Sequence, residues 1–230
     1  MPLHRRGLIR EYWCAIALLR RIRALPATLD PAAAVAFARS EAEIMPNQKE
    51  QEIVWLLEQL AARPPRVVLE IGIDRGGTLF LWTRVAAADA LLIALDVRKM
   101  FGRLGRWSPF ALVRSGFARE RQRVDLIDGV DSHAADTVKR VQAALAGRSV
   151  DFLFIDAGHA YEDARQDFEL YEPLVRPGGI VAFHDVSPRP TADTVGIAAF
   201  WAELKASHET RELIADGEAG YGIGVYYKPE

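Results

Sequence analysis

From residue 67 onward the chain alternates short apolar runs with segments whose apolar positions recur every three or four residues. The runs are VVLEI (67–71), LLIAL (91–95), VDLI (124–127), DFLFI (151–155) and IVAFH (180–184). Each is four or five residues long and nearly continuous in apolar character, which suits strands buried on both faces of a parallel sheet. Between them lie amphipathic helices: TLFLWTRVAA, a segment with Val138, Val141 and Leu145 on one side, and another aligning Tyr161, Ala164, Phe168 and Tyr171. Pro177-Gly178-Gly179 reads as a turn into the fifth run, and Ile197, Phe200, Trp201 and Leu204 mark a further helix. ELIA and the terminal GIGVYYK form a candidate closing hairpin. Strands alternating with helices predict an α/β, doubly wound domain.

Upstream, residues 29–43 predict a helix capped by Asp30 with Pro31 at its first position. Ile53, Leu56, Leu57 and Leu60 predict a second one. The start, MPLHRRGLIREYWCAIALLRRIRALP, holds an apolar run too short to span a bilayer and flanked by arginines. It reads as an amphipathic helix packing on the domain or on a second copy of the chain, with anionic lipid as the alternative. The expected division is a helical extension, 1–45, followed by a ligand-binding domain, 46–230.

Composition adds bounds. With 230 residues, 50% hydrophobic, 26% charged and a formal charge of -2, the chain is an ordinary globular protein with no global attraction to nucleic acid. Its one cysteine, Cys14, excludes an internal disulfide and a cysteine-rich zinc site, so a cytoplasmic location is expected.

Ligands of open parallel sheets bind beyond the carboxyl ends of the strands. The first strand ends in Glu70-Ile71-Gly72-Ile73-Asp74-Arg75-Gly76-Gly77. Glycine lets backbone approach a ligand closely, and Gly76-Gly77 opens a helix whose amides can meet an anion. The spacing G-x-x-x-G-G is not the pyrophosphate spacing of dinucleotide binders, so a nicotinamide dehydrogenase is not expected. Asp96 ends the second strand, placed to accept hydrogen bonds from ribose hydroxyls. With Glu70 before the glycines, these residues point to a nucleoside ligand lacking pyrophosphate. Asp131 and Ser132 follow the third strand, either facing an adenine or capping a helix.

Here the sequence resembles a family. VLEIGIDRGGTL, Asp96, DGVDSH, FLFIDAGHAYEDARQDFELYEPLVRPGGIVAFHDV and the terminal hairpin are similar to class I S-adenosylmethionine-dependent methyltransferases. The nearest branch is that of cephalosporin hydroxylase-like proteins and macrocin-type sugar O-methyltransferases. The resemblance spans roughly residues 45–228. It implies a Rossmann-like fold with seven strands, the last antiparallel, plus N-terminal helices. It implies S-adenosylmethionine as cofactor, with Gly72 and its neighbours at the methionine end, Asp96 at the ribose, and Asp131 and Ser132 at the adenine.

The tips of the fourth and fifth strands carry the candidate chemistry. Asp156 closes one, and His184-Asp185 closes the other. Neighbouring strands lie about 4.8 Å apart, so the two carboxylates converge. A divalent cation between them would remove their repulsion, and hard oxygen ligands favour Mg²⁺, with Mn²⁺ the alternative. In the metal-dependent O-methyltransferases that this region resembles, such an ion holds the acceptor oxygens and lowers the hydroxyl pKa. His159 is the candidate base that takes the acceptor's proton, unless it caps the next helix. The sugar methyltransferase pattern has a carboxylate two positions after the metal aspartate, where this chain has Gly158. His184 reads either as a metal ligand or as a packed, orienting histidine. Tyr161 belongs to the core, or its hydroxyl orients the site.

Between Asp96 and the third strand, Arg98, Lys99, Arg103, Arg106, Arg114, Arg119, Arg121 and Arg123 face only Glu120, with Phe101, Trp107, Phe110 and Phe117 interleaved. This loop reads as a lid for an anionic or glycosylated acceptor or as a solvated helix anchored in the core. Ser187-Pro188-Arg189-Pro190 is a second lid candidate. The leading expectation is a metal-assisted O-methyltransferase acting on a small hydroxylated molecule, a sugar or natural product. Two alternatives stand beside it: an iron oxygenase using His159, His184 and one aspartate, and a non-catalytic cofactor-binding protein.

Overall fold

A computed structural model describes residues 3–26, 29–98, 108–119, 121–187, 195–215 and 221–230. Helices α1 (Leu3–Ala24), α2 (Pro31–Ser40) and α3 (Glu50–Ala62) precede the alternating region. There follow β1 (Val67–Ile71), α4 (Gly77–Val85), β2 (Leu91–Asp96), α5 (Pro109–Arg114), β3 (Arg123–Asp128), α6 (Ala135–Leu145) and β4 (Val150–Ile155). The chain continues through α7 (Tyr161–Tyr171), β5 (Val175–His184), α8 (Val195–Ser207), β6 (Thr210–Leu213) and β7 (Ile223–Tyr227). The strands form one seven-stranded sheet in the order β3-β2-β1-β4-β5-β7-β6. β7 runs antiparallel to both β5 and β6, and the other strand pairs are parallel. The Rossmann-like arrangement expected from the sequence is therefore present.

The near-continuous apolar runs are buried because helices cover both faces. One face presents Val68, Leu92, Phe152 and Phe154 to a core shared with α1, α2, α3 and α4. The other packs Leu69, Ile93, Leu153 and Phe183 against α6, α7 and α8. Alternate residues of each strand face opposite layers, as the pleat requires. On the first face Trp82 lies edge-on to Phe152 and Phe154, with ring centroids 5.0 and 5.1 Å away.

Strand and helix ends shift by one to several residues from the expected ones, β6 being Thr210–Leu213 where the sequence predicts ELIA (212–215). Two shifts have a clear local cause. Asp30 does cap α2, accepting from the Ala33 amide at 3.0 Å, but that helix stops at Ser40. Pro177-Gly178-Gly179 is not a turn outside the strand: β5 starts at Val175 and its register against β4 shifts between Val150 and Phe152. Gly178, at φ 64, gives the backbone the left-handed step that such a bulge needs.

Register brings the strand ends together. Ile71 pairs with Leu95 on one side and Ile155 on the other, and Ile155 pairs with Phe183. The next residue of each strand therefore falls in one row: Asp96, Gly72, Asp156, His184. The chain winds from β1 outward through β2 and β3, then restarts at β4 on the other side of β1. Gly72 and Asp156 stand at that switch point, where open α/β sheets bind ligands.

Candidate active site

The glycine turn after β1 is built by the protein's own hydrogen bonds. Asp96 is buried, and its Oδ2 accepts from the amides of Ile73 and Asp74 at 3.0 and 3.1 Å. Its Oδ1 accepts from the Arg98 amide at 2.7 Å. Asp74 has φ 44 and is held by Asn47 and by an ion pair with Arg98 at 2.7 Å. Gly72 is at φ 93, and a Cβ there would lie 2.0 Å from the Asp156 carbonyl oxygen. At Gly77 a Cβ would lie 2.3 Å from the Ile44 carbonyl, and at Gly76 the Phe117 ring is 3.3 Å away. The space each glycine leaves is thus taken up by the protein itself, a role the sequence reading had given to a ligand.

Beside this turn is a cavity of about 470 Å³ lined by Gly72, Asp96, Asp131, Ser132, Asp156 and Gly158, among others. Asp131 and Ser132 do not cap α6, whose first flanking residue is Ala134. Asp131 accepts from the His133 amide at 2.9 Å, and the Tyr171 hydroxyl donates to the Ser132 carbonyl at 2.6 Å. Glu70 lies under the turn, fully buried, with Trp82 Nε1 donating to its Oε1 at 3.0 Å. Burial pushes its pKa up to about 8, against the opposing pull of Thr78 and Trp82, so at neutral pH it carries a proton.

The tips of β4 and β5 bring three candidate ligands together. One atom from each of Asp156, His184 and Asp185 lies within 4.8 Å of the others. His184 Nδ1 is 3.2 Å from Asp156 Oδ1 and 3.5 Å from Asp185 Oδ2. Cis ligands of an octahedral Mg²⁺ lie about 3 Å apart, so this donor set fits a hard divalent cation. Asp185 takes φ 61, a left-handed conformation that a short polar side chain tolerates better than most. Burial alone would favour the neutral His184 ring, but Asp156, then Asp185 and Glu52, raise its pKa to about 9. A proton and a divalent cation are thus alternative ways of neutralising the same two carboxylates.

His159 Nε2 is 3.4 Å from Asp185 Oδ2, and its side chain is 43% exposed, at the rim. It does not cap α7, which begins after Ala160 without a side-chain cap. Tyr161 points its hydroxyl to Glu203 at 2.8 Å, not into the site. Among the described residues the metal-competent cluster contains one imidazole, His184, and not the two of the oxygenase reading.

Gln48 and Asn47 carry no signal in the sequence, and the pairing of Asp74 with Arg98 and Asn47 is not evident from either residue's position. Gln48 is buried and donates from Nε2 to Asp156 Oδ2 at 2.6 Å across 108 residues. No local spacing announces such a contact. Several arginines of the basic loop have internal partners: Arg119 donates to the carbonyls of Thr83 and Ala86, Arg114 stacks on Phe110, and Arg123 pairs with Asp125. Helix α5 lies within that loop and Phe117 is in the core. Lys99, Phe101, Arg103, Arg106, Trp107 and Glu120, like Pro188, Arg189 and Pro190, lie outside the described residues.

Comparison with known proteins follows the same line. The fold is similar to an O-methyltransferase from Bacillus cereus in complex with SAH, with a TM-score of 0.59 and 19% identity over 89% of this chain and 93% of that one. It is also similar to cofactor-bound Rv0187 from MTB, with a TM-score of 0.62 and 23% identity over 88% and 91% of the two chains. TomG, an O-methyltransferase from Streptomyces achromogenes involved in tomaymycin synthesis and solved with SAM, gives 0.59 and 18% over 88% and 91%. In sequence the chain is 28% identical over 159 residues to protein y4gI of Sinorhizobium fredii. That match covers 66% of this chain but only 16% of the relative's length. The methyltransferase domain family matches residues 69–186, just over half the chain and from β1 to the end of β5. The chain belongs to the methyltransferase domain family.

Proposed function

We propose that the protein is an S-adenosylmethionine-dependent O-methyltransferase, assisted by Mg²⁺ or Mn²⁺, that acts on a hydroxyl of a small molecule such as a sugar or natural product. The observation that carries this reading is the convergence of Asp156, His184 and Asp185 beside the 470 Å³ cavity at the switch point of the sheet. The solved relatives with SAM or SAH support the choice of cofactor. The cofactor would supply an electrophilic methyl group; the residues of this chain bind and orient it and manage the acceptor's proton.

Gly72, Gly76 and Gly77 shape the turn for the methionine end, with Glu70 beneath them as a neutral hydrogen-bonding group. Asp96 presents its carboxylate edge to the ribose while keeping the turn folded. Asp131 and Ser132 border the cavity where an adenine would lie. Asp156, His184 and Asp185 would hold the cation, which would act as a Lewis acid on the acceptor oxygen. His159 Nε2 lies 3.4 Å from Asp185 Oδ2 at the solvent-open rim. As a neutral imidazole it would keep one nitrogen toward that carboxylate, take the acceptor's proton on the other and pass it to water. Methyl transfer is then mostly positioning. The acceptor is a small hydroxylated molecule, anionic or glycosylated if the basic loop takes part. A cytoplasmic location rests on the lone Cys14, and self-association on the exposed Ile9 and Trp13 of α1.

Calorimetric titration with S-adenosylmethionine, with and without Mg²⁺, tests the reading, followed by S-adenosylhomocysteine release with hydroxylated acceptors. Cofactor binding and turnover that EDTA removes are expected. No cofactor binding, or turnover indifferent to EDTA, contradicts it. Cofactor binding with no turnover on any acceptor, unchanged by Asp156→Ala, favours a binding protein instead.

A further inference from the structure

Gln48 lies on the segment between α2 and α3, outside residues 69–186 that match the family. The residue is 2% exposed, and its Nε2 donates to Asp156 Oδ2 at 2.6 Å. A carboxylate at a strand tip is free to rotate about its last bond, and a ligand cluster needs one oxygen pointed at it. Here Oδ2 is fixed by Gln48 and Oδ1 faces His184 Nδ1 at 3.2 Å. The amide's orientation follows from its partner, because only the NH₂ end can face a carboxylate.

The same stretch of chain supports the site from a second direction. Lys49 lies over the Tyr221 ring at 4.9 Å, and Tyr221 packs edge-on to His184 at 6.2 Å. Fully buried Glu52 accepts from the Ala215 amide at 2.9 Å, tying α3 to the loop after β6. The segment leading into α3 thus touches Asp156 directly and His184 through Tyr221.

We propose that Gln48 is a positioning residue: it sets the rotation of Asp156 so that Oδ1 joins His184 and Asp185 in the cation-binding cluster. This rests on the metal reading of that cluster. Loss of an outer-shell partner commonly weakens metal binding about 10–100-fold, and a buried amide that merely filled space would not do so.

The test uses the full chain with Mn²⁺ alone, followed by electron paramagnetic resonance, and with S-adenosylhomocysteine alone, followed by calorimetry. Gln48→Met keeps the length and removes the hydrogen bond. It is expected to weaken Mn²⁺ about 10–100-fold and to leave S-adenosylhomocysteine affinity unchanged. Unchanged Mn²⁺ affinity in a folded Gln48→Met protein overturns the proposal. If that variant does not fold, Gln48→Asn serves: its amide stops one methylene short of Asp156, so Mn²⁺ should raise its Tm less than that of the wild type, and an equal rise overturns the proposal. Should the wild type take up no Mn²⁺, the metal reading fails by itself. The His184 ring N–H resonance of the metal-free protein then decides on Gln48: a shift in Gln48→Met supports orientation through Asp156, and coincident spectra overturn it.

Discussion

The two ends of the ligand-facing row differ in how far the protein satisfies its own polar groups. At the glycine turn, Asp96 uses both oxygens on backbone amides, and the space left by Gly72, Gly76 and Gly77 is filled by neighbouring protein atoms. At the tips of β4 and β5, two carboxylates and an imidazole crowd together, and His184 Nε2 is buried with no hydrogen-bond partner among the described residues. Buried polar groups are normally paired, and an exception asks for an explanation. At the turn the Asp96 carboxylate and the glycine spaces are filled from within the protein, and the buried atom without a partner among the described residues is Glu70 Oε2 beneath it. At the tips a proposed cation would be shared by the two carboxylates and His184 Nδ1, the ring nitrogen that faces them.

Substitutions can break that contrast. Gly72→Ala should have the largest effect, because it combines φ 93 with a Cβ 2.0 Å from the Asp156 carbonyl. We expect a loss above about 4 kcal/mol, or failure to fold, in denaturant unfolding. Asp156→Ala should cost more than about 100-fold in Mn²⁺ affinity and some stability as well, since it leaves buried Gln48 Nε2 and His184 Nδ1 without their carboxylate partner.

Glu70 sharpens the comparison from below. Its folded pKa of about 8 lies above the ordinary value of 4.5, so the folded state binds the extra proton. Its neutral form is favoured on folding, and stability is lost as pH rises from about 5 through 8. Between pH 5.5 and 8.5 the loss is on the order of 3 kcal/mol. Glu70→Gln keeps the neutral shape and should flatten that slope; a wild-type Tm independent of pH over the same range would contradict the assignment. The smallest effect is expected for Gly76→Ala, at φ 80 with a movable ring 3.3 Å away: about 1 kcal/mol in thermal unfolding. If Gly76→Ala proved as damaging as Gly72→Ala, the close backbone approach at Gly72 would not be the cause.

What was legible in the sequence was local. Five strands announced themselves as apolar runs of four or five residues, and Asp156, His184 and Asp185 stood out because polar groups ended them. Adjacent strands then forced those tips together. What escaped was set by distance along the chain: Gln48 meets Asp156, and Asn47 meets Asp74, through contacts that helix and strand periodicity do not encode. The glycines were noticed for a sound reason, since positive φ demands them, but the close approach they permit is between protein segments. The arginines of the basic loop looked available because sequence shows charge and not partners. Arg119 in fact holds the end of α4 through the Thr83 and Ala86 carbonyls.

The most direct test is a Mn²⁺ titration of the whole protein followed by electron paramagnetic resonance, with ¹⁵N-labelled histidine. The account predicts one bound ion per chain, hyperfine coupling to the His184 nitrogen, and loss of the bound signal in Asp156→Ala and Asp185→Ala. A protein that binds no Mn²⁺, or binds it undiminished without those two carboxylates, would contradict it.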